Sequence, residues 1–496
     1  MSDKFSPPPR VATFKTAAAF KAHLATLPIH TDCDDVMLPP GENPLAQPAT
    51  VGGHPLGNRF AVQPMEGWDG TPDGRPTDLT LRRWQHFGRS GAKLIWGGEA
   101  LAVRHDGRAN PLQLTYSPAN RAALTALPKA LLAEHQARHG SSDDLLLGLQ
   151  LTHSGRFCRP GPGPAMVPHI AYSHPVMDAR CGLEDEKSVA RAIISDEELE
   201  ALVEDFVAAA VFAQETGFHF VDIKHCHGYL LHELLSAHTR PGPYGGSFEN
   251  RTRMLREIVA GIRKAAPGLM IGVRLSAFDM APFRWPEAGA PPRGVPVDFA
   301  SLLPYRYGFG MQPRNPLEVD TTESLAFLGL CEALEIPLLN ITAGSPYYTP
   351  HLQRPALFPP SDGYPPPEDP LLGCARLLQV TAALKQAFPH LFLVGTGYTY
   401  FQDYLPLVAQ AQVRLGHVDS VGLGRMMLSY PDLPADVLAG RPLQRRLVCR
   451  TFSDCTTAPR QGMVSGCYPL DDFYKQRPEA VKLKQAKAGK GNKGGT

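Results

Sequence analysis

The sequence has no apolar run long enough to span a bilayer, which excludes an integral helical membrane protein. Neither charge dominates: 49 Lys and Arg face 48 Asp and Glu, for a formal net charge of +1. That balance removes the electrostatic reason to expect nucleic acid or an acidic membrane as partner. Cysteine is sparse and scattered; its count of 9 is odd and fits free thiols in a reducing compartment better than a disulfide framework. The first ten residues, MSDKFSPPPR, contain no apolar stretch of the signal-peptide type, and the expected location is cytoplasmic. What is present is 43% hydrophobic residues in 496, enough for a large core.

The organisation is repetitive. Residues 1–57 read as an N-terminal extension, with a helical pattern (FKTAAAFKAHLATL) and then a Pro/Gly-rich approach. From Asn58, eight strand-like runs follow: RFAVQP, AKLIWGG, LLLGLQLT, FHFVDIK, LMIGVRLS, PLLNITA, LFLVGTG and VDSVGLG. They are apolar without clean alternation, as expected of strands buried on both faces of a parallel sheet. Helix-period segments such as DEELEALVEDFVAAAVFAQETG separate most of them. Eight such units predict an α/β fold, a (β/α)8 TIM barrel over 58–440, rather than a doubly wound open sheet. Pro/Gly-rich inserts at 157–194, 277–320 and 345–370 follow the third, fifth and sixth runs and are expected on the catalytic face. A Cys-containing segment, 441–480, is expected to pack on the barrel, and a basic tail, 481–496, to be disordered.

Two glycine pairs close the last two runs: Gly395 and Gly397, then Gly422 and Gly424 followed by Arg425. Glycine in a strand-to-helix turn is common. Two pairs in successive loops of a barrel point to a phosphate cradle, where backbone N–H groups approach an anion and a guanidinium adds a bidentate contact.

The segments NRFAVQPM, LIWGGEALAV, LQLTHSGR, HGYLLHELLS, YGGSFENRTR, GVRLS, GTG and VGLGRMMLSYPDLP resemble the Old Yellow Enzyme family in the same order, over Asn58 to Pro434. That family comprises FMN-dependent ene reductases on a (β/α)8 barrel. The resemblance implies FMN as cofactor and NADH or NADPH as electron donor. It implies main-chain contacts to the flavin from Pro64 and Met65, with Ala100 near its carbonyl edge. Gln150 falls at the pyrimidine edge, where an amide matches both N–H and C=O. Arg274 falls beside N1 and the C2 carbonyl, and Gly395, Gly397, Gly424 and Arg425 at the phosphate. Ser247 in YGGSFENR reads as a helix N-cap.

The stretch VDIKHCHGYLLHELLS, from Val221 to Ser236, looks first like a metal site. Adjacent ligands on a strand do not converge on one ion, and no CxxC or HxxxH spacing supports that reading. Cys226 reads as a buried inert thiol, His225 as a structural histidine and His232 as a helix residue. The resemblance assigns two substrate hydrogen-bond donors, Lys224 and His227, and a proton donor, Tyr229. Both donors face one ligand only if the strand ends or bulges between them. Lys224 stands where the family usually has histidine, and Glu66 where relatives often have a small polar residue or Cys. These two departures predict a Glu66–Lys224 contact. Trp68, Tyr347 and Tyr348 follow strand ends and are candidate pocket walls.

Cys449, Cys455 and Cys467 have the spacing C-x5-C-x11-C, one ligand short of the iron–sulfur motif of longer relatives, and no iron–sulfur cluster is expected. The expected reaction is reduction of the C=C bond of activated alkenes, with a small-molecule substrate and neither nucleic acid nor membrane as partner. Self-assembly into a homo-oligomer is left open. Dehydrogenation or demethylation of an amine, and a non-catalytic flavin-binding sensor or scaffold, are the alternatives.

Overall fold

The computed structural model describes residues 7–163 and 165–491. Eight parallel strands form its centre: β1 (Phe60–Val62), β2 (Leu94–Ile95), β3 (Leu146–Thr152), β4 (Phe220–Ile223), β5 (Met270–Ser276), β6 (Leu338–Thr342), β7 (Phe392–Gly395) and β8 (Ser420–Leu423). Each pairs with its neighbours in sequence, and β8 returns to β1 through Val421↔Phe60, so the sheet closes as a barrel. A short additional strand, Ala100–Ala102, pairs with the C-terminal half of β3. All eight strand-like runs seen in the sequence are barrel strands, and the closed barrel rather than the open sheet is what forms.

The helices lie between the strands for readable local reasons. Helix α1 (Asp78–Gly88) starts at a capping box between Thr77 and Thr80. Helix α2 (Arg121–His139) follows, and α3 (Asp196–Glu215) begins with Ser195 accepting from the Glu198 N–H, while three acidic residues in its first turn complement the helix dipole. In α4 (Arg253–Ala265), Met254, Leu255, Ile258, Val259 and Ile262 are buried along one helical face. Helices α5 (Thr322–Ala333), α6 (Pro370–Ala387) and α7 (Leu405–Arg414) complete the ring before α8 (Leu433–Leu438). Ser247 caps the short helix Phe248–Arg251, as expected.

The boundaries differ from the sequence reading at both ends. A hairpin of Ala49–Val51 and His54–Leu56 plugs the N-terminal end of the barrel. Its Val51 and Leu56 are buried against Leu94, Trp96, Leu146, Phe220 and Leu338. The barrel unit therefore begins within the expected extension of residues 1–57, because the barrel floor needs an apolar cover. From the segment 441–480, Asp471 pairs with Arg82 at 2.8 Å and the Ser465 hydroxyl accepts from the Trp68 backbone N–H at 2.8 Å. The tail expected to be disordered from 481 is instead helical as far as Gly491, in Pro478–Gly491. Leu483 anchors it in a small core with Ala458, Met463, Tyr468 and Tyr474, and Lys487 pairs with Asp454 at 2.6 Å. Residues 492–496 lie outside the described residues. Among the described residues, no helix is long and apolar enough to cross a membrane.

Candidate active site

The C-terminal ends of the strands, where barrels place their chemistry, open into a cavity of about 290 Å³. Pro64, Met65, Glu66 and Trp68 after β1 line it, as do Gln150 of β3, Lys224, His227 and Tyr229 after β4, and Arg274 of β5. Tyr347, Gly397, Gly424 and Arg425 complete the expected set on its walls. The inserts after β3 and β6 contribute Arg159 and Arg354, and the C-terminal segment forms a roof from Cys455 to Tyr474. Trp68 is held to that roof by its N–H donating to the Ser465 hydroxyl at 2.8 Å.

Three expected residues stand apart from the cavity wall. Ala100 is buried, and its carbonyl accepts from the Gln113 amide at 2.8 Å. Gly395 sits behind the wall, where the Gln63 amide donates to its carbonyl at 3.4 Å. Tyr348 turns away and donates to Asp279 at 2.7 Å, beside a second, much smaller cavity. The pairing Tyr347–Tyr348 thus splits, because consecutive residues of this loop point to opposite sides.

The end of β4 answers the geometric condition set by Lys224 and His227. Regular pairing stops at Ile223, His225 makes one isolated bridge to Leu275, and the chain then turns through His227 (φ 68°) and Gly228 (φ 77°). A left-handed histidine is unusual for a non-glycine residue. Its backbone N–H donates to the Ser276 hydroxyl at 3.0 Å, and that of Gly228 donates to the His232 ring at 2.9 Å. This turn replaces strand alternation and brings Lys224 and His227 to one cavity. His225 accepts no such role: its ring bonds the Ile223 carbonyl at 2.8 Å and packs on Phe327. Burial pushes the Cys226 thiol up to about 12, which keeps it inert.

No hydrogen bond or ion pair joins Glu66 to Lys224, the two residues expected to be in contact, and the Glu66 charge reaches Lys224 only through space. The Glu66 carboxylate instead accepts from the Tyr229 hydroxyl at 2.8 Å and from the Asn110 amide at 3.1 Å. Lys224 reaches the same tyrosine from another side, its ammonium 3.8 Å from the ring centroid. Tyr229 thus separates the two charges: the phenol hydroxyl takes the carboxylate and the ring face takes the cation. Tyr347 adds a hydroxyl 3.2 Å from that of Tyr229. Burial, and next the Glu66 charge, hold the Tyr229 phenol protonated far above neutral pH. Burial, reinforced by the positive charges of Arg274 and Lys224, keeps the His227 imidazole neutral. Lys224 is also pulled below its ordinary value by burial, against which the charge of Glu66 acts.

Several supporting residues carried no motif. Asp222, inside the barrel on β4, accepts from the Trp96 indole and the Gln150 amide, each at 2.6 Å, and from the Arg274 backbone N–H at 2.7 Å. One carboxylate thereby orients two expected ligand-binding residues on neighbouring strands. Burial pushes Asp222 up to about 6 despite these bonds. On the β1 side, Arg83 of α1 bridges Asp69 and Glu99 at 2.8 and 2.7 Å and also donates to the Met65 carbonyl at 3.0 Å. It fixes the backbone at the cavity edge. A polar residue inside an apolar strand run, such as Asp222 in FHFVDIK, was the available sequence signal. Arg83 offered none, since its partners come from separate loops.

The cavity holds unused hydrogen-bonding capacity. Arg274 Nε, Arg425 Nη1, Arg354 Nε and Nη2 and Thr396 Oγ1 are buried without hydrogen-bond partners among the described residues. Gly424 has only the Gln63 Cβ, at 3.9 Å, near the place a side chain would occupy, so its backbone is open to a ligand. Arg425 is braced by donating to the Pro355 carbonyl at 3.0 Å. Burial and the nearby Arg460 and Arg425 charges lower Arg354 to about 9. Like charges held together with unpartnered N–H groups suit an anion. The three C-terminal cysteines are free thiols. Among the described residues, no three His, Cys, Asp or Glu side chains are grouped to hold a metal ion.

The family model described as NADH:flavin oxidoreductase / NADH oxidase matches residues 44–283. Over those residues the chain is similar to this family. Curated relatives include an NADPH dehydrogenase of Bacillus subtilis (strain 168), 32% identical over 242 residues, which are 47% of this chain and 64% of that protein. An NADPH dehydrogenase of Listeria welshimeri serovar 6b is 33% identical over 230 residues, 46% of this chain and 61% of its own length. The chain thus spans less than two thirds of these relatives. Among solved structures, the old yellow enzyme homologue from Zymomonas mobilis aligns at TM-score 0.53 and 21% identity, covering 81% of this chain and 94% of that one. A histamine dehydrogenase from Rhizobium sp. 4-9 aligns at 0.59 and 19%, covering 87% and 53%. At these identities the likeness establishes the barrel fold. The similarity to the family rests on the sequence match, which contains β1 to β5 and the whole Lys224–Tyr229 turn.

Proposed function

We propose that this protein is a member of that family, an FMN-dependent oxidoreductase that uses NAD(P)H to reduce the C=C bond of activated alkenes. The observation that carries this reading is the convergence of Lys224, His227 and Tyr229 on one cavity whose other walls hold Gln150, Arg274 and Arg425. Bound FMN would supply hydride transfer. The residues present suit it: Arg425 and the open backbone at Gly424 for the phosphate, Gln150 for the pyrimidine edge, and Arg274, with its unpartnered Nε, for an anionic edge.

The protein's part in the reaction is electrostatic and acid–base. Lys224 and neutral His227 donate to the oxygen of the activating group, where negative charge gathers as the β-carbon receives hydride. Burial of both side chains raises the value of those donors by keeping water out. Tyr229 donates its proton to the α-carbon, and its phenol is held protonated for that purpose. Glu66 and Tyr347 fix the hydroxyl in place. The roof formed by the C-terminal segment encloses the cavity, and FMN is the only redox centre in this reading.

Reconstitution with FMN, followed by anaerobic reduction with NADH or NADPH and reoxidation by enones, nitroalkenes or unsaturated acids, tests it. Reoxidation by alkenes supports the reading. Reduction of the flavin by amines, with no reoxidation by alkenes, would replace it with amine dehydrogenation. A preparation that binds FMN but does neither would leave a flavin-binding protein without this catalysis.

A further inference from the structure

We infer that the cavity is built for a carboxylate-bearing substrate, an α,β-unsaturated acid whose carboxylate seats on the Lys224 ammonium; this rests on the alkene-reduction reading above. Lys224 is 5% exposed and lines the cavity, yet among the described residues its Nζ has neither a hydrogen-bond acceptor nor a carboxylate partner. Its one close polar contact is the face of the Tyr229 ring at 3.8 Å. The nearby carboxylate that could have neutralised it, Glu66, is taken by Tyr229 and Asn110. Glu66 and Asp222 act on the ammonium only through space, so its burial is incompletely offset, and an anionic ligand in direct contact reduces that penalty on binding.

The position narrows the chemistry of the anion. The neighbouring donor is His227, whose neutral ring supplies one N–H and no charge, with Thr342 Oγ1 3.4 Å from its Nε2. Lys224 and His227 flank the place where the activating group of the alkene must lie. An anion there has to be conjugated with the double bond, which a carboxylate is and a remote phosphate is not. Pairing with Lys224 also corrects the main weakness of a carboxylate as activator. Its negative charge makes the β-carbon a poor hydride acceptor, and the ammonium withdraws that charge.

The step balances as a two-electron reduction. Hydride from a nicotinamide, passed by the cofactor, forms a C–H bond at the β-carbon. The C=C electron pair moves onto the α-carbon and carboxylate as an ene-diolate held by Lys224 and His227. The Tyr229 O–H bond then breaks and its proton goes to the α-carbon. The tyrosinate regains a proton from solvent.

The test uses the FMN-loaded protein and two unreactive probes of similar shape, cyclohexanecarboxylate and cyclohexanecarboxamide, with binding measured by calorimetry. The acid should bind about tenfold or more tightly than the amide, the scale of one charge-assisted hydrogen bond. Lys224→Met should abolish that preference, and Lys224→His should shift it toward the amide. Equal binding of the two probes by the unaltered protein overturns the inference without need of any variant. So does a preference that survives in a Lys224→Met protein retaining its FMN. Binding is read without turnover, so the two readings fail separately. Acid preference with no alkene reduction removes the reaction alone; reduction of enones with no acid preference removes the role of Lys224 alone.

Discussion

Arg425→Ala separates the phosphate cradle from every other part of the site. The guanidinium is braced through Nη2 on the Pro355 carbonyl at 3.0 Å, while Nη1 is buried without a protein partner. A phosphate placed there gains a charge-assisted bond from a group already held in position, so little side-chain entropy is lost on binding. Such a bond contributes about 1.5–3 kcal/mol, which converts to a roughly 10- to 150-fold change in dissociation constant. The neighbouring Arg354, with two buried unpartnered N–H positions, retains part of the attraction, so the lower half of that range is expected. The assay is quenching of flavin fluorescence on titrating apoprotein, run in parallel with FMN and riboflavin. FMN affinity should fall in the variant and riboflavin affinity should not. Equal loss for both flavins would mean that Arg425 shapes the cavity rather than binding phosphate. No loss for either would refute the placement of the phosphate at β8.

Tyr229→Phe should leave flavin reduction by NAD(P)H intact and slow reoxidation by alkene about 10²- to 10⁴-fold, in stopped-flow half-reactions. Gly422→Ala puts a methyl group 1.8 Å from the Gln63 amide nitrogen and 2.6 Å from the Gly395 carbonyl oxygen, so FMN retention and melting temperature should both drop. Asp222 has its folded-state pKa raised to about 6 from 3.8, so its charged form disfavours folding. That contribution is absent below the unfolded value and grows as pH rises from about 4 to 6, to roughly 3 kcal/mol. Asp222→Asn should therefore flatten the stability–pH curve in that window, and an unchanged slope in urea titrations would refute the buried titration. Iron and sulfide analysis of anaerobically purified protein should find neither in stoichiometric amount, and a broad visible absorbance beyond that of flavin would contradict FMN as sole redox centre.

Strand identity was written in local sequence. A run such as LLLGLQLT is apolar on both faces, and only a doubly covered parallel strand satisfies it. The caps of Ser195 and Ser247, and the glycines near the cavity at β7 and β8, are likewise local matters of backbone and neighbour. The expectation that Gln150, Arg274, His227 and Tyr229 line the site came from the family resemblance, and all four line the cavity. Tertiary structure decided what depends on meeting across the barrel. It set Glu66 against Tyr229 instead of Lys224, because the phenol takes the carboxylate on its hydroxyl and the ammonium on its ring face. It gave Asp222 the task of aligning Gln150 and Arg274, whose strands flank β4. It made a plug of residues 49–56 and an anchored helix of 478–491, since burial of Val51, Leu56 and Leu483 depends on surfaces distant in the chain. Among the described residues, it left the buried Lys224 ammonium against a tyrosine ring with no carboxylate in contact. No sequence pattern could state that fact, because a charge lacks such a contact only by virtue of what the rest of the fold fails to bring against it.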